Sequence, residues 1–461
     1  MSQIDITIDE RVFSAEEGSL LIDLLIEHDL KVPYFCYHEA LGADGNCRMC
    51  MVEIEGQKRP QIACDTPIKP GMVVRTKGEK IDPVHRNILE LELINHPVDC
   101  PVCDQAGECR LQDFYMDYGL YDSQIDVSEK VQHEKHIDLG GNVMLDQERC
   151  VLCARCTRFT SDITRTHELG IIGRGDHARV STMPGKKLEN PYAMNVVDLC
   201  PVGALTSKDF RFSQRTWFLK SVESVCHGCA KGCSIFIDHN REKYKEDRIY
   251  RFRPRKNPEV NGHFICDAGR LSYKALQENR QREMLLEGRA VEREEAIDAC
   301  RNFLKEKSGE IVILADADLY TEELERLQRY AETIGASLHA PLESSIDEDF
   351  ADEWLKSSQR AANAGAVEKL GIDQTLPEKA SLLIDFGHPD ADRVAAERVV
   401  AFRTHQSDRA ADLVLPLAVY SESAGSLVNE DGIVQFCHKA ITPDETVRTV
   451  IEWIESIEGG A

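Results

Sequence analysis

The segment from Asn95 to Asp113, NHPVDCPVCDQAGECRLQD, holds residues well suited to metal chemistry. It spaces one histidine and three cysteines as H-x3-C-x2-C-x5-C, and these four residues (the His96 set) are His96, Cys100, Cys103 and Cys109. Pro and Gly residues beside them keep the backbone open, so the four side chains can surround one metal centre. Three cysteines with one histidine also form a common structural zinc site. Alone, the segment is compatible with zinc and with an iron–sulfur cluster.

A second group lies nearer the N-terminus and suits a [2Fe–2S] cluster in a ferredoxin-like sheet. This Cys36 set is spaced C-x10-C-x2-C-x13-C and comprises Cys36, Cys47, Cys50 and Cys64. Plant-type ferredoxins begin with C-x4-C, so the long first gap is a departure, whereas the C-x2-C pair and the distant fourth ligand are kept. His38 follows the first ligand by two residues. We predict that it is a hydrogen-bonding neighbour and not a ligand.

A third group matches the bacterial ferredoxin pattern for a [4Fe–4S] cluster. This Cys150 set comprises Cys150, Cys153, Cys156 and Cys200, and Pro201 follows its last member. In two-cluster ferredoxins the fourth cysteine follows closely and serves the other cluster. Here 43 residues separate Cys156 from Cys200. We therefore expect the insertion to loop out and return one ligand to a single cluster.

A fourth group, the Cys226 set, fits both a zinc ribbon and a [4Fe–4S] cluster. Its members are Cys226, Cys229, Cys233 and Cys266. The two well-marked iron–sulfur patterns upstream favour a cluster, because an electron carrier gains from additional redox centres. Four clusters in one chain would form a wire, since electron tunnelling weakens steeply with distance. The remaining Cys300 and Cys437 are expected to be buried thiols.

No catalytic constellation accompanies these sets. A nicotinamide site needs a Gly-rich turn between a strand and a helix. The near match at residues 173–178, GRGDHA, lies between cluster ligands and is not predicted to open a helix. We expect electrons to enter and leave through other polypeptides.

Composition narrows the class of protein further. The formal net charge of −25 argues against nucleic acid as the main partner, because phosphate binding needs clustered Lys and Arg. No apolar run is long enough to span a bilayer, and no export signal is recognisable at the N-terminus. Fifteen of the 17 cysteines precede residue 270, which in such a chain predicts metal binding in a reducing cytoplasm.

The elements that position these residues follow from hydrophobic periodicity. Ser19 is predicted to cap an apolar helix over residues 20–28, and a helical pattern over residues 83–120 surrounds the His96 set. Beyond residue 270, strands alternate with helices, which predicts an open α/β sheet. These strands are predicted at residues 310–315, 337–340, 380–386 and 412–417.

The order of the four sets resembles the large iron–sulfur subunit (the G subunit) of complex I, the NADH–quinone oxidoreductase. The resemblance covers about residues 1–270 and rests on FCYHEALGADGNCRMCMVEIEG, NHPVDCPVCDQAGECRLQDFYMDYG, ERCVLCARCTRF and DLCPVGALTSKDFRF. The remaining residues resemble a shortened molybdopterin oxidoreductase domain. Residues 411–416 (ADLVLP) and 422–429 (ESAGSLVN) are similar to that family's ADVVLP and E-x-x-G-T-x-x-N stretches. Because only about 190 residues follow residue 270, no molybdopterin is expected to bind.

The resemblance implies a multi-domain α/β and α+β protein with five domains. It implies a β-grasp [2Fe–2S] ferredoxin domain, a helical domain with one-histidine, three-cysteine ligation, a ferredoxin-like [4Fe–4S] domain, a small [4Fe–4S] domain of molybdopterin-oxidoreductase type and a truncated open α/β domain. Their expected bounds are 1–82, 83–122, 140–215, 217–273 and 274–461. One [2Fe–2S] and three [4Fe–4S] clusters are implied.

The resemblance also implies an electron route and its partners. A flavin- and NADH-binding subunit with its [2Fe–2S] partner would supply the Cys36 set, followed by the Cys150 set and then the His96 set. A two-cluster ferredoxin-like subunit and quinone-site subunits would follow, while the Cys226 set would lie off this line. FMN, NADH and quinone would reside on partners, and the assembly would sit at the cytoplasmic face of the inner membrane without this chain entering it. Alternatives are the relay chain of a soluble NAD-linked hydrogenase or formate dehydrogenase, a catalytic molybdopterin enzyme, and a zinc-organised interaction protein.

Overall fold

The computed structural model describes residues 2–119, 121–122, 125–241, 247–306 and 309–459. The chain forms two compact units, residues 1–218 and 219–461. None of the helices in the described ranges combines the length and the apolar character needed to cross a lipid bilayer. The helical pattern predicted as far as residue 120 ends at a position outside the described residues.

A five-stranded mixed sheet opens the first unit. Its strands are β1 (Gln3–Ile8), β2 (Arg11–Glu16), β3 (Met51–Ile54), β4 (Gln61–Ile62) and β5 (Val73–Arg75). Their order is β2-β1-β5-β3-β4, with β1 and β5 parallel and the other neighbours antiparallel. Helix α1 (Leu21–Glu27) buries Leu21 and Leu25 in the same core. That core includes Cys50 and Cys64, so it positions half of the Cys36 set.

Ser19 does not cap α1, so that prediction was wrong. The residue at the N-cap is Leu20, and its side chain makes no capping hydrogen bond. The Ser19 hydroxyl donates instead to the Glu16 carbonyl oxygen at 2.7 Å. A local backbone acceptor competes with the helix end for a serine hydroxyl, which periodicity alone does not reveal.

Two helices flank the His96 set, α2 (Asp82–Leu93) and α3 (Arg110–Tyr118). They contact each other, and the loop between them carries all four residues of the set. The continuous helical pattern expected here is thus interrupted at the ligands. Pro97 and Pro101 explain the break, because proline lacks the amide hydrogen that a helix interior needs.

Short elements surround the Cys150 set. The strands are β6 (Ile137–Gly140), β7 (Val143–Leu145), β8 (Leu169–Ile172), β9 (Arg179–Thr182) and β10 (Leu205–Ser207). One sheet has the order β10-β7-β6, and β8 pairs with β9 as an antiparallel hairpin. Helix α4 (Arg155–Arg158) carries Cys156, and α5 (Asn195–Leu199) ends at Cys200. Residues 173–178 join β8 to β9 and open no α-helix, as predicted for this Gly-containing stretch.

The second unit begins with a small antiparallel sheet. It contains β11 (Lys220–Val225), β12 (Ser234–Arg241) and β13 (Asp247–Pro254), followed by α6 (Asp267–Leu271). Ile235 and Phe252 of this sheet are fully buried. The turn between β11 and β12 carries three members of the Cys226 set, and Cys266 directly precedes α6.

A seven-stranded mixed sheet forms the rest of the second unit. Its strands are β14 (Leu285–Leu286), β15 (Arg289–Ala290), β16 (Ile311–Ala315), β17 (Ser337–His339), β18 (Lys379–Phe386), β19 (Ala395–Arg403) and β20 (Leu413–Pro416). The order is β15-β14-β20-β19-β18-β16-β17. Strands β16 to β20 are parallel to one another, and the pairings of β14 with β20 and of β14 with β15 at one edge are antiparallel. The predicted α/β sheet is present.

Four helices and a hairpin complete this unit. They are α7 (Arg293–Lys305), α8 (Thr321–Ile334), α9 (Ala364–Leu370), α10 (Val450–Glu458), β21 (Gly425–Val428) and β22 (Val434–Cys437). Trp453 of α10 packs against Phe402, which stacks on Phe386 with ring centroids 4.2 Å apart. These three rings are almost completely buried and fasten the C-terminal helix to the sheet.

Candidate metal centres

The Cys36 set is gathered by one loop and one short turn of the first sheet. The loop between α1 and β3 carries Cys36, Cys47 and Cys50, and the turn after β4 carries Cys64. The Ala63 N–H donates to the Cys50 carbonyl at 2.8 Å, which joins the turn to the loop. All four side chains are at most 7% exposed. Their thiols lie within hydrogen-bonding reach of one another, with Cys36 facing Cys47 and Cys64.

Hydrogen bonds among these thiols shift their pKa values in opposite directions. The pKa of Cys36 is lowered because the thiols of Cys47 and Cys64 donate to it, and the same bond to Cys36 raises the pKa of Cys64. Such a group can hold a metal once all its protons are displaced. His38 has a different role, since its Nδ1 accepts from the Ala40 N–H at 3.1 Å. This bond agrees with the predicted role of His38 as a neighbour of the set.

A strained turn organises the His96 set. Val98 adopts φ of +51°, a conformation that is unfavourable for a β-branched residue. In this conformation its N–H donates to His96 Nδ1 at 3.1 Å. Cys109 occupies the N-cap of α3, which fixes the other end of the ligand loop.

The environment of the His96 set favours a neutral imidazole. Burial lowers the pKa of His96 to about 4, Asp99 opposes the shift, and the cations Lys130 and Arg149 reinforce it. A metal-binding imidazole must present an unprotonated nitrogen, so this environment suits ligation. Burial also raises the pKa of Cys109 to about 12. A metal must therefore displace the proton of that thiol on binding.

The Cys150 set surrounds a small cavity. All four cysteines line it, together with apolar side chains such as Leu145 and Val180 and the guanidinium-bearing Arg155. The Leu152 N–H points at Cys150 Sγ from 3.4 Å. Backbone N–H groups of residues 202, 204 and 205 are directed at the Cys200 sulfur. Such N–H···S contacts are one of the means by which proteins tune iron–sulfur clusters.

The Cys226 set closes a hairpin and is cradled by glycines. The Cys226 N–H donates to the Cys233 carbonyl at 2.8 Å, and all four members are 4–6% exposed. The Gly269 N–H donates to Cys266 Sγ at 3.2 Å. A Cβ at Gly269 would lie 2.9 Å from Cys226 Sγ, so only glycine leaves room there.

Two residues near the Cys150 set and the Cys36 set join the two ligand loops. Arg158 Nη1 donates to the carbonyl oxygens of Leu41 at 3.0 Å and Gly42 at 3.2 Å, and its Nη2 donates to the Cys36 carbonyl. In the opposite direction, Asn46 Nδ2 donates to the Leu152 carbonyl at 3.3 Å. The two ligand loops are therefore in direct contact.

The Cys150 set also contacts the His96 set. The Arg110 N–H, directly after Cys109, donates to the Pro201 carbonyl at 3.0 Å. A Cβ at Gly203 would lie only 2.3 Å from Cys103 Sγ, so the Cys200 loop passes against this sulfur. The loop of the Cys150 set therefore contacts the loops of both other sets, although both precede it in the sequence.

Several residues around these sets were not identified from spacing. Arg149 donates to Asp99 through Nε at 2.9 Å and through Nη2 at 2.6 Å, and these two residues adjoin ligands of different sets. Burial opposes ionisation of Asp99, but the bonds to Arg149 outweigh it and lower the pKa to about 2. Arg215 Nη1 donates to the Cys103 carbonyl at 2.7 Å. The position of Arg149 beside Cys150 was a usable signal, whereas nothing in the sequence indicated Arg215.

Two polar side chains of residues 422–429, which resemble a stretch of the molybdopterin oxidoreductase family, bond to other residues of this chain. Glu422 forms a buried ion pair with Arg280 at 2.7 Å and also accepts from the Val419 N–H at 2.9 Å. Asn429 Oδ1 accepts from the N–H groups of Asp431 at 3.1 Å and Ile433 at 2.8 Å. Both side chains therefore stabilise the local fold.

Comparison with protein families gives four consecutive matches. These are the 2Fe-2S iron-sulfur cluster binding domain (residues 1–79), the NADH-ubiquinone oxidoreductase-G iron-sulfur binding region (85–124), the ferredoxin-like domain of NADH-quinone oxidoreductase subunit 3 (140–206) and the molybdopterin oxidoreductase Fe4S4 domain (219–278). Each matched range of this chain contains one of the four predicted ligand sets. Iron–sulfur domains of both the 2Fe-2S and 4Fe-4S types are therefore present.

Three similar proteins are subunits of NADH-quinone or NADH-ubiquinone oxidoreductases. The G subunit of NADH-quinone oxidoreductase from Streptomyces coelicolor is 32% identical, with 99% of this chain and 58% of the relative aligned. The corresponding G subunit from Rickettsia conorii is 36% identical over 60% of this chain and 40% of the relative. The mitochondrial 78 kDa subunit of NADH-ubiquinone oxidoreductase from Neurospora crassa is 38% identical over 60% of this chain and 37% of the relative. The chain thus spans between 37% and 58% of these relatives' lengths.

A solved structure is also similar in part. It is the crystal structure of an NAD+-reducing [NiFe]-hydrogenase in the H2-reduced state, 29% identical, covering 46% of this chain and 91% of the matched chain with a TM-score of 0.41. A TM-score at this level does not distinguish between functions.

Proposed function

We propose, from the premise that the chain is a relative of the G subunits of NADH-quinone oxidoreductases, that it is the iron–sulfur electron-relay subunit of a respiratory NADH:quinone oxidoreductase (complex I). It would pass electrons from a flavin subunit toward quinone. When bound, the clusters would supply one-electron redox chemistry. The chain would contribute the ligands, the spacing and the local charge.

The contacts of the Cys150 set with the other two ligand sets of the first unit carry this proposal. The loops of the Cys36 and Cys150 sets are joined by hydrogen bonds of Arg158 and Asn46. The loops of the Cys150 and His96 sets are joined at Arg110 and Gly203. A relay needs such a succession of neighbours, because tunnelling weakens steeply with distance. A set of independent structural metal sites has no such requirement.

The proposed electron route therefore differs from the order of the ligand sets along the sequence. The Cys36 set would receive electrons from the flavin- and NADH-binding subunit and its [2Fe–2S] partner. The Cys150 set would mediate, and the His96 set would deliver electrons to a two-cluster ferredoxin-like subunit and onward to the quinone-site subunits. These partners would place the chain at the cytoplasmic face of the inner membrane.

We assign one [2Fe–2S] cluster to the Cys36 set and one [4Fe–4S] cluster to each of the other three sets. The first sheet would then be a β-grasp ferredoxin domain over residues 1–82. Residues 83–122, 140–215 and 217–273 would be the other three cluster domains. Residues 274–461 would be a truncated molybdopterin-oxidoreductase-like domain without molybdopterin. The internal bonds of Glu422 and Asn429 support a structural role for its motifs.

The alternative is a relay chain of a soluble NAD-linked hydrogenase or formate dehydrogenase. Such a chain would use the same three neighbouring sets. The subunits that purify with the protein distinguish the two, because complex I would bring membrane chains and the soluble assembly a hydrogenase or dehydrogenase subunit. Native mass spectrometry of the purified assembly identifies them.

Anaerobic purification followed by metal and sulfide analysis tests the proposal. We expect about 14 iron atoms and as many acid-labile sulfide ions per chain for this cluster complement, with EPR signals on reduction. We expect no stoichiometric molybdenum or tungsten. A colourless protein with zinc and without sulfide would overturn the relay, while one molybdenum per chain would overturn only the assignment of residues 274–461.

A further inference from the structure

Arg155 is a buried cation at the cavity of the Cys150 set. It is 3% exposed, and it belongs to helix α4 immediately before Cys156. Its side chain lines the cavity together with the four cysteines. Its Nε is buried without a hydrogen-bond partner.

The hydrogen bonds of Arg155 use neutral acceptors. Nη1 donates to the Leu199 carbonyl at 3.1 Å, and Nη2 donates to the Tyr37 carbonyl. Within the part of the chain that the structure describes, no carboxylate is paired with this guanidinium. Burying a charge without a partner of opposite sign is costly, so a counter-charge is expected nearby.

Arg149 is an arginine of the same region whose charge is balanced by carboxylates. It is 4% exposed, and it adjoins Cys150 as Arg155 adjoins Cys156. Its guanidinium is held by Asp99 at 2.6 Å and by Asp146 at 3.4 Å.

The sulfurs of the Cys150 set line the same cavity as Arg155, and as thiolate ligands they would carry the opposite charge. On the other side Arg155 meets like charge, since Arg110 and Arg155 both lie over the Tyr34 ring, at 4.5 Å and 5.9 Å from its centroid. An arginine remains charged even under these conditions.

We infer that Arg155 is the counter-charge of the cluster held by the Cys150 set and raises the reduction potential of that cluster. This inference rests on the proposed function. Four thiolates on a [4Fe–4S] core leave the site negatively charged, and one-electron reduction adds a further negative charge without making or breaking a bond. A buried cation at the cavity wall stabilises the reduced state more than the oxidised state. The bond to Tyr37 also couples this charge to the loop of the Cys36 set.

Two substitutions separate charge from packing. Arg155→Met removes the charge while keeping a long apolar stem, and Arg155→Lys keeps a charge. Arg179→Met is the matched control, because Arg179 is exposed and adjoins the cavity-lining Val180. The assembled complex is purified anaerobically, and the potential of the Cys150-set cluster is measured by EPR-monitored redox titration together with iron and sulfide content.

We expect Arg155→Met to lower that potential, Arg155→Lys to restore most of it, and Arg179→Met to leave it unchanged. An unchanged potential in an Arg155→Met protein with full iron content would refute the inference alone, whereas wild-type protein without sulfide would refute the proposed function. If Arg155→Met loses the cluster, retention in Arg155→Lys supports the role of charge. Equal loss in both variants assigns Arg155 to packing and overturns the inference.

Discussion

His96 is the one imidazole among the sixteen proposed ligands. Its surroundings keep it neutral, because burial lowers its pKa to about 4 and Lys130 and Arg149 reinforce that shift. A neutral ligand in place of a thiolate makes a cluster less negative. Histidine ligation raises the potential in Rieske centres for this reason.

His96→Cys should therefore lower the reduction potential of the cluster in the His96 set. The added thiolate contributes one negative charge, which disfavours reduction. EPR-monitored redox titration of the anaerobic complex measures the shift. His38→Gln serves as the control, since His38 bonds to the Ala40 backbone and should leave every cluster in place. An upward or absent shift in a fully loaded His96→Cys protein would contradict the ligand assignment.

At the scale of elements, the loop after α5 contacts two of the proposed ligand sets. It presents Cys200 to its own cavity and passes against Cys103 of the neighbouring set at Gly203. The close approach leaves no space for a side chain, because a Cβ there would lie 2.3 Å from Cys103 Sγ. Proximity of the two sets thus depends on one residue without a side chain.

Gly203→Ala should displace Cys103 and deplete iron from the His96 set first. Overpacking of this kind costs on the order of 1–3 kcal/mol. Iron content and the EPR signals of the individual clusters report the result. Gly185→Ala is the control for replacing a glycine, because its Cβ would meet no atom within 4 Å, although its φ of +76° makes the change strained. Equal cluster loss in both variants would contradict a specific effect of the contact with Cys103.

At the scale of the whole molecule, the Cys226 set differs from the other three. It belongs to the second unit, whereas the Cys36, Cys150 and His96 sets share the first. It closes the β11–β12 hairpin and is joined to the rest of that unit by Arg360, whose Nε donates to the Gly228 carbonyl at 2.8 Å. This contact within the second unit suits a structural role for the Cys226 set.

Cys226→Ser should accordingly reduce the amount of assembled complex, by several-fold for a stability loss of about 1–2 kcal/mol. The electron flux per assembled complex should remain close to that of the wild type. Quantification of the complex beside NADH:quinone turnover separates the two effects. Cys300→Ala controls for loss of a buried thiol in the same unit. Normal assembly with abolished flux would show that this cluster conducts electrons.

The sequence alone predicts the ligand chemistry, because the C-x2-C pairs, the Pro after Cys200 and the single His96 are local patterns. Each family match contains one of the ligand sets predicted in this way. The α/β sheet after residue 270 was also predictable, since buried strands and amphipathic helices have different periods. The capping role of Ser19 was not, because a local acceptor at Glu16 decided it.

Tertiary structure alone decided which sets are neighbours. The contact between the Cys36 and Cys150 sets arises from residues far apart in sequence, such as Arg158 with Leu41. It likewise decided that Arg149 is paired with a carboxylate while Arg155 is not, although both adjoin cysteines of one motif. Ligand identity depends on side-chain chemistry over a few residues, whereas distance and charge compensation depend on how the whole chain packs.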